Sequence, residues 1–152
     1  MPQNASRKTL KKSDVIKATG IPLQQFQHWL DRRVIRLSGE DIPATGHGKP
    51  RGFGQRRVYE IAIAHRISRL GVPAATAVAL AAKFNEPSCG RPIGGLFKTG
   101  KTVLIATPDG RGTIHNVQPD GNLDSLLNTE AAIVVDIGAI ISNVNSRLET
   151  IR

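Results

Sequence analysis

The chain has 152 residues, which is enough for one ordinary domain or two small ones. It lacks any run of about 18 apolar residues, which argues against a membrane span. Its basic N-terminus also lacks the apolar stretch of a secretory signal. A single cysteine, Cys89, precludes an internal disulfide and is typical of a reducing cytosol. We therefore expect a cytoplasmic protein with no membrane partner.

The positive charge is concentrated in the first half of the chain. Residues 1–84 contain 15 Lys or Arg and 5 Asp or Glu, whereas residues 85–152 contain 6 and 7. The net charge of +9 therefore comes entirely from the first half. Such an asymmetry favours a polyanionic partner, because basic side chains bind phosphates. Basic surfaces also arise for solubility alone, so the charge by itself does not select nucleic acid.

Two short helices are predicted close together after the basic N-terminus. "SDVIKATG" predicts the first, with a serine and an aspartate as candidate N-caps and Gly20 as a left-handed C-terminal residue. Pro22 fits the start of the second helix, 22–31, since a first-turn N–H has no helical partner. The few residues between them give the spacing of a helix-turn-helix.

The rest of the first half predicts a strand, a loop and two helices. "VIRLS" (34–38) is a strand candidate, and residues 39–54 read as a loop because they include five glycines and two prolines. "RRVYEIAIAHRISRLG" and "VPAATAVALAAKF" show helical apolar spacing.

The second half has a different character. "NEPSCGRPIGG" (85–95) reads as a linker, and "KTVLIATPDGRGTIHNV" as a β-hairpin around a Pro-Asp-Gly turn. "AAIVVDIG" is a short strand candidate, and "DIGAIISNVNSRLETI" predicts a terminal helix. The predicted fold class is α+β, with a basic arm at 1–12, a mostly helical domain at 13–84 and a small α+β domain at 96–152.

The terminal helix carries an apolar stripe. On a small isolated domain this stripe would be largely exposed, and pairing two copies of the chain would cover it. We therefore predict a homodimer, although packing of the stripe on its own hairpin is an alternative. The predicted interface residues are Ile137, Ile140, Ile141, Val144, Leu148 and Ile151.

"SDVIKATGIPLQQFQHWLDRRVI", the glycine-rich loop and "RGFGQRRVYEIAIAHRISRLGVPAATAVAL" together resemble the winged helix-turn-helix domain of bacterial MerR-type transcription regulators. The resemblance covers about residues 10–84 and implies that 22–31 is a recognition helix and 39–54 a wing. It implies a nucleoid-associated protein that binds double-stranded DNA. Recruitment of RNA polymerase, or sensing of a ligand, by the C-terminal domain is a further option. MerR-like excisionases share this domain, so a DNA-bending recombination factor is an alternative. The long coiled-coil helix that usually follows the domain is absent.

The resemblance also implies roles for individual residues. Gln24, Gln25 and Gln27 stand at positions that face the major groove in the family. His28 matches an aromatic that often touches phosphate, and Arg51 matches the wing arginine that meets the DNA backbone. In one departure from the pattern, an arginine at position 33 stands where glycine is usual.

The residues support this interpretation on physical grounds. Gln24, Gln27 and His28 share one helix face, and the opposite face is apolar, with Leu23, Phe26, Trp29 and Leu30. Glutamine can bond adenine through two atoms, worth about 1–3 kcal/mol of discrimination. Cations after the helix and in the wing can hold phosphates, whereas glutamines can also be ordinary surface residues. The predicted DNA-contacting residues are Gln24, Gln25, Gln27, His28, Arg32, Arg33, Arg36, Lys49 and Arg51, with Arg56 and Arg57 as further wing candidates.

The sequence gives only weak signals for nucleotide binding, metal binding or catalysis. "GLFKTGKT" (95–102) matches the string of a phosphate-binding loop, but such a loop should follow a buried strand and open a helix. Four scattered histidines and one cysteine form no recognisable metal set. We expect no catalytic site, no metal and no cofactor, and keep nucleotide binding at 95–102 as the alternative from another class.

Overall fold

The computed structural model describes residues 9–37, 39, 41–42 and 51–151. The described helices are α1 (Lys12–Thr19), α2 (Leu23–Asp31), α3 (Gln55–Ser68), α4 (Ala74–Ala82), a short 3-10 helix (Lys83–Asn85) and α5 (Ile137–Ile151). The strands are β1 (Lys101–Ala106), β2 (Gly112–Val117) and β3 (Ile133–Asp136). The α+β class is confirmed, and each predicted helix is present. Within these residues, no helix has both the length and the apolar character needed to cross a bilayer.

The turn between α1 and α2 forms as the sequence predicts. Gly20 adopts φ 75°, and its N–H donates to the carbonyl of Ile16 at 2.9 Å. This left-handed residue ends α1 and lets the chain re-enter a helix three residues later. The N-terminal prediction is wrong, because α1 begins at Lys12 and no side chain caps it. The predicted arm 1–12 is therefore too long, and residues 1–8 lie outside the described part of the chain.

No strand forms at 34–37, so that part of the predicted strand is wrong. The amides of Val34 and Ile35 both donate to the carbonyl of Trp29, at 2.9 and 3.2 Å. Arg33 holds φ 54°, the one positive φ outside glycine in the described residues. This left-handed residue folds the chain back against α2, which buries Ile35 and satisfies the helix end.

Replacing Arg33 by glycine is expected to raise the free energy of unfolding by about 1 kcal/mol, since glycine adopts this backbone without steric cost. Arg32→Gly is the matched control, because Arg32 has φ −83° and gains nothing from glycine. Urea unfolding of both variants measures the difference. If the Arg33→Gly protein is no more stable than the Arg32→Gly protein, the backbone of Arg33 is not strained.

One apolar core joins both halves of the chain. Helix α5 packs against α1, α3 and β1, and buried residues from all four elements form a single cluster. The central helix α3 is buried on nearly every side from Val58 to Ile67. The predicted boundary at 85–95 therefore does not separate two cores, because the helices and the sheet each need the other to cover their apolar faces.

The predicted dimer stripe lies inside this core. Ile137, Ile141, Val144 and Leu148 are 0 to 6% exposed, and Ile140 and Ile151 pack partly buried against them. The predicted dimer interface is wrong for Ile137, Ile141, Val144 and Leu148, because α1, α3 and β1 of the same chain cover them. Ile140 and Ile151 remain partly exposed. The sequence alternative, packing on the hairpin, accounts for only part of this contact.

The 85–95 segment is held down by a buried arginine. Arg91 is 7% exposed and its guanidinium donates to the carbonyls of Phe84 at 2.8 Å and Lys83 at 3.2 Å. Longer bonds reach the carbonyls of Pro92 and Gly95, and the guanidinium lies 5.4 Å from the Phe84 ring centre. Burial lowers the pKa of Arg91, and Glu86 opposes that shift. The arginine thereby satisfies carbonyls at the end of the 3-10 helix.

The three strands form an antiparallel sheet in the order β2-β1-β3. The predicted hairpin is confirmed, with Val103 opposite His115, and the predicted strand at 131–138 is confirmed as β3. Asp136 ends β3, and its carboxylate accepts the N–H of Ala139 at 3.0 Å. This cap explains why strand passes directly into helix α5.

Candidate nucleic-acid interface

The two ends of the 39–54 loop are fastened beside α2. Ile42 and Gly52 exchange backbone hydrogen bonds of 2.8 and 2.9 Å, and so do Leu10 and Phe53. The Phe53 ring then packs on Phe26 of α2, with ring centres 5.3 Å apart. The described base of the loop, α2 and the residues just before α1 are therefore joined by these contacts.

A polar network reinforces the base of the loop. Arg57 donates to Asp41 at 2.9 Å and to Glu60 at 2.5 Å, and Asp41 also accepts the N–H of Gly54 at 3.0 Å. Asn85 donates to the other oxygen of Glu60 at 2.6 Å. Of the two further wing candidates, Arg57 has its guanidinium engaged by these carboxylates, whereas Arg56 is exposed.

Fewer side chains are exposed on the outward face of α2 than the sequence predicts. Gln24 and His28 are exposed and lie one turn apart, so both side chains are free to meet a ligand. Gln25 is half-buried, and its amide lies 3.4 Å from the hydroxyl of Ser68.

The amide of Gln27 is occupied within the chain. It accepts a hydrogen bond from Lys12 and donates one of 2.7 Å to Asp31. Lys12 thus belongs to this surface. The sequence predicted it as part of a basic arm able to contact phosphates, whereas in the structure it begins α1.

The inward face of α2 holds the helix in place. Phe26, Trp29 and Leu30 are buried, as predicted. Leu23, predicted on the same face, is 56% exposed. Leu23 is the first residue of α2, directly after Pro22, and the buried core does not extend to this end of the helix.

Three arginines lie exposed just beyond the end of α2: Arg32, Arg33 and Arg36. In the described part of the chain, no hydrogen bond or ion pair engages their guanidiniums. The helix dipole stabilises cations at a helix C-terminus, and this stabilisation partly offsets the repulsion between the three neighbouring arginines. Arg51 is half-buried beside the loop base, and Lys49 lies outside the described residues.

The alternative phosphate-binding loop lacks its structural setting. Lys101 begins strand β1 rather than a helix, and its ammonium pairs with Asp136 at 3.2 Å. The adjoining groove has a volume of about 620 Å³ and is walled mainly by apolar side chains such as Val103, Val117 and Leu123. Lys101 is already paired with Asp136 there, and the segment after it is a strand and not the helix that a phosphate-binding loop opens.

The remaining titratable groups form no second centre. Within the described residues, no cluster of His, Cys, Asp or Glu is arranged to hold a metal ion. Burial lowers the pKa of His65, and the cations of Arg66 and Arg69 lower it further, so the imidazole is neutral near pH 7. Comparison with protein-family models and with curated proteins found no match. The α2 surface is therefore the candidate site by its geometry and charge alone.

Proposed function

We propose that this protein is a sequence-specific DNA-binding regulator of transcription that inserts α2 into the major groove. The observation that carries the proposal is a set of three exposed arginines, unpaired within the described residues, directly after a helix with a polar outward face. Phosphates are the partner that such a cluster fits, since each neutralised phosphate releases counterions. The α1–turn–α2 arrangement is then a helix-turn-helix and the 39–54 loop its wing.

Positioning and sequence reading fall to different side chains. Arg32, Arg33 and Arg36 hold the backbone on one side of the groove, and Arg51 holds it from the wing. Gln24 faces outward and reads base edges, as glutamine amides do with adenine. His28, one turn further along the same face, contacts a phosphate. Gln27 plays a lesser part, because reading a base requires it to exchange its bonds to Lys12 and Asp31.

The backbone at Arg33 adds independent support. Residue 33 is where the MerR-type pattern usually has glycine, and its φ of 54° is the conformation that favours glycine. The local backbone thus fits the family pattern even where the residue type departs from it. Arginine destabilises this backbone conformation relative to glycine, and in this proposal the phosphate contact of its guanidinium is the reason that arginine stands there.

Mapping of bound genomic DNA in the source organism should recover a short recurrent sequence close to promoters. Gln24→Ala is expected to weaken binding to that sequence by roughly ten-fold while leaving random DNA unchanged, because alanine cannot bond a base edge through two atoms. Gln118→Ala, an exposed glutamine beside the sheet, is the matched control. Fluorescence anisotropy with both DNAs measures the ratio.

The outcomes separate the candidate roles. Binding without any recurrent sequence, or equal losses on cognate and random DNA, would contradict base reading by Gln24. Sites confined to recombination loci, with no effect on nearby transcription, would favour an excisionase-like role. Absence of DNA binding altogether would end the proposal.

A further inference from the structure

The C-terminal helix α5 reaches the turn between α1 and α2 through Arg147. The Nη1 atom of its guanidinium donates to the carbonyl oxygen of Ala18, near the end of α1, at 3.5 Å. The same atom lies 3.2 Å from the position that a Cβ on Gly20 would occupy. A cation from the second half of the chain therefore lies at the turn that leads into α2.

Packing of α5 fixes the place of this arginine. Its helix neighbours Val144 and Leu148 are buried in the core. The hydroxyl of Tyr59 donates to the side-chain oxygen of Asn145 at 2.7 Å, which links α5 to α3. Because these contacts set the rotation of α5 about its axis, the exposed side chain of Arg147 is held beside the turn.

Most of the hydrogen-bonding capacity of Arg147 is unused. A guanidinium carries several N–H donors, and among the described residues the carbonyl of Ala18 is the one group that accepts from it. That bond is at the outer limit of hydrogen-bond length, so it holds the guanidinium only weakly. Within the same residues no carboxylate forms an ion pair with Arg147. An exposed cation with free donors fits an anionic oxygen, such as that of a phosphate.

Cations therefore lie at both ends of α2. Arg32, Arg33 and Arg36 follow its last turn, and Arg147 lies at the turn before its first. The nine residues of α2 span roughly 14 Å, and the major groove of DNA is about 12 Å wide. Cations at the two ends of a helix of this length match the phosphates that border the groove on its two sides.

We propose that Arg147 binds a DNA phosphate on the side of the groove opposite to Arg32, Arg33 and Arg36, so that the nucleic-acid interface extends onto α5. The inference rests on the proposed function. It adds a contact from the half of the chain in which acidic residues outnumber basic ones. Phosphate contacts set the position of a protein on the duplex and carry no base information, so Arg147 fixes where α2 lies in the groove.

Replacing Arg147 by glutamine tests the contact. Arg147→Gln should weaken binding to cognate and random DNA alike, by roughly five-fold at physiological salt, and should lower the slope of log K against log salt by about 0.9. Arg147→Lys should keep most of the slope, because an ammonium also binds phosphate as a point charge. Arg111→Gln removes one exposed arginine charge from the sheet side and should leave the slope unchanged. Anisotropy titrations at several salt concentrations, run well below the melting temperature of every variant, measure these values.

The outcomes separate this inference from the proposed function. If Arg147→Gln keeps the wild-type slope while glutamine at positions 32, 33 and 36 lowers it, the inference is wrong and α2 still binds DNA. Equal losses of slope in Arg147→Gln and Arg147→Lys would also overturn it, because the arginine would then act by holding the turn and not by its charge. A wild-type protein that binds no DNA would end the proposed function, and this inference with it.

Discussion

Replacing Arg32, Arg33 and Arg36 together by glutamine is expected to abolish most DNA binding at physiological salt. The loss should be similar on cognate and random DNA, because phosphate contacts carry no sequence information. Removing each arginine–phosphate pair should also reduce the slope of log K against log salt by about 0.9, so the slope should fall by up to roughly 3. Anisotropy titrations at several salt concentrations measure both quantities.

Lys98→Gln with Arg111→Gln is the control for net charge. Both residues are exposed cations on the sheet side of the molecule, away from α2. Their replacement should leave the salt slope within the error of the wild type. If the control lowers the slope as much per charge as the arginine variant does, the binding is a general charge effect and α2 does not direct it.

Replacing Arg91 by alanine is expected to lower the free energy of unfolding by about 2–4 kcal/mol, because buried carbonyls lose a charged donor and the Phe84 ring loses its neighbour. Arg91→Lys should recover only part, since an ammonium cannot reach carbonyls with a planar fork. Guanidinium chloride unfolding measures both variants.

Arg111→Ala is the matched control, because the Arg111 side chain is 83% exposed and its ion pair with Asp109 lies on the surface. It should change stability by less than about 0.5 kcal/mol. Equal effects of Arg91→Ala and Arg111→Ala would mean that the buried arginine does not hold the 85–95 segment.

Local features of the fold were predictable from sequence. Gly20 and Pro22 mark the end of one helix and the start of the next, because only a few residue types fit those backbone positions. Two β-rich runs around a Pro-Asp-Gly turn predicted the hairpin, a short apolar run predicted the strand within 131–138, and helical apolar spacing predicted α5. The buried positions Phe26, Trp29 and Leu30 followed from helix periodicity alone.

Several sequence predictions were wrong because of contacts that short sequence patterns do not show. Residues 34–37, expected in a strand, follow a left-handed turn at Arg33, a conformation that an arginine does not indicate. The network that binds Arg57 requires Asp41 and Glu60 to converge, although the loop and α3 are separate elements in sequence. Helix periodicity predicted that Gln27 faces solvent and contacts DNA. In the structure its side-chain oxygen accepts a hydrogen bond from Lys12 of helix α1.

The sequence by itself determined most of the helical and extended segments, most of the residues on their apolar faces, and the concentration of basic charge in the first half of the chain. These are properties of short stretches, set by backbone preference and side-chain periodicity. Only the tertiary structure decided what covers each apolar face. An apolar stripe such as Ile137–Leu148 must be buried, but its period is the same whether a second copy or the chain's own α1 and α3 covers it. Here the chain covers most of its own helix stripe.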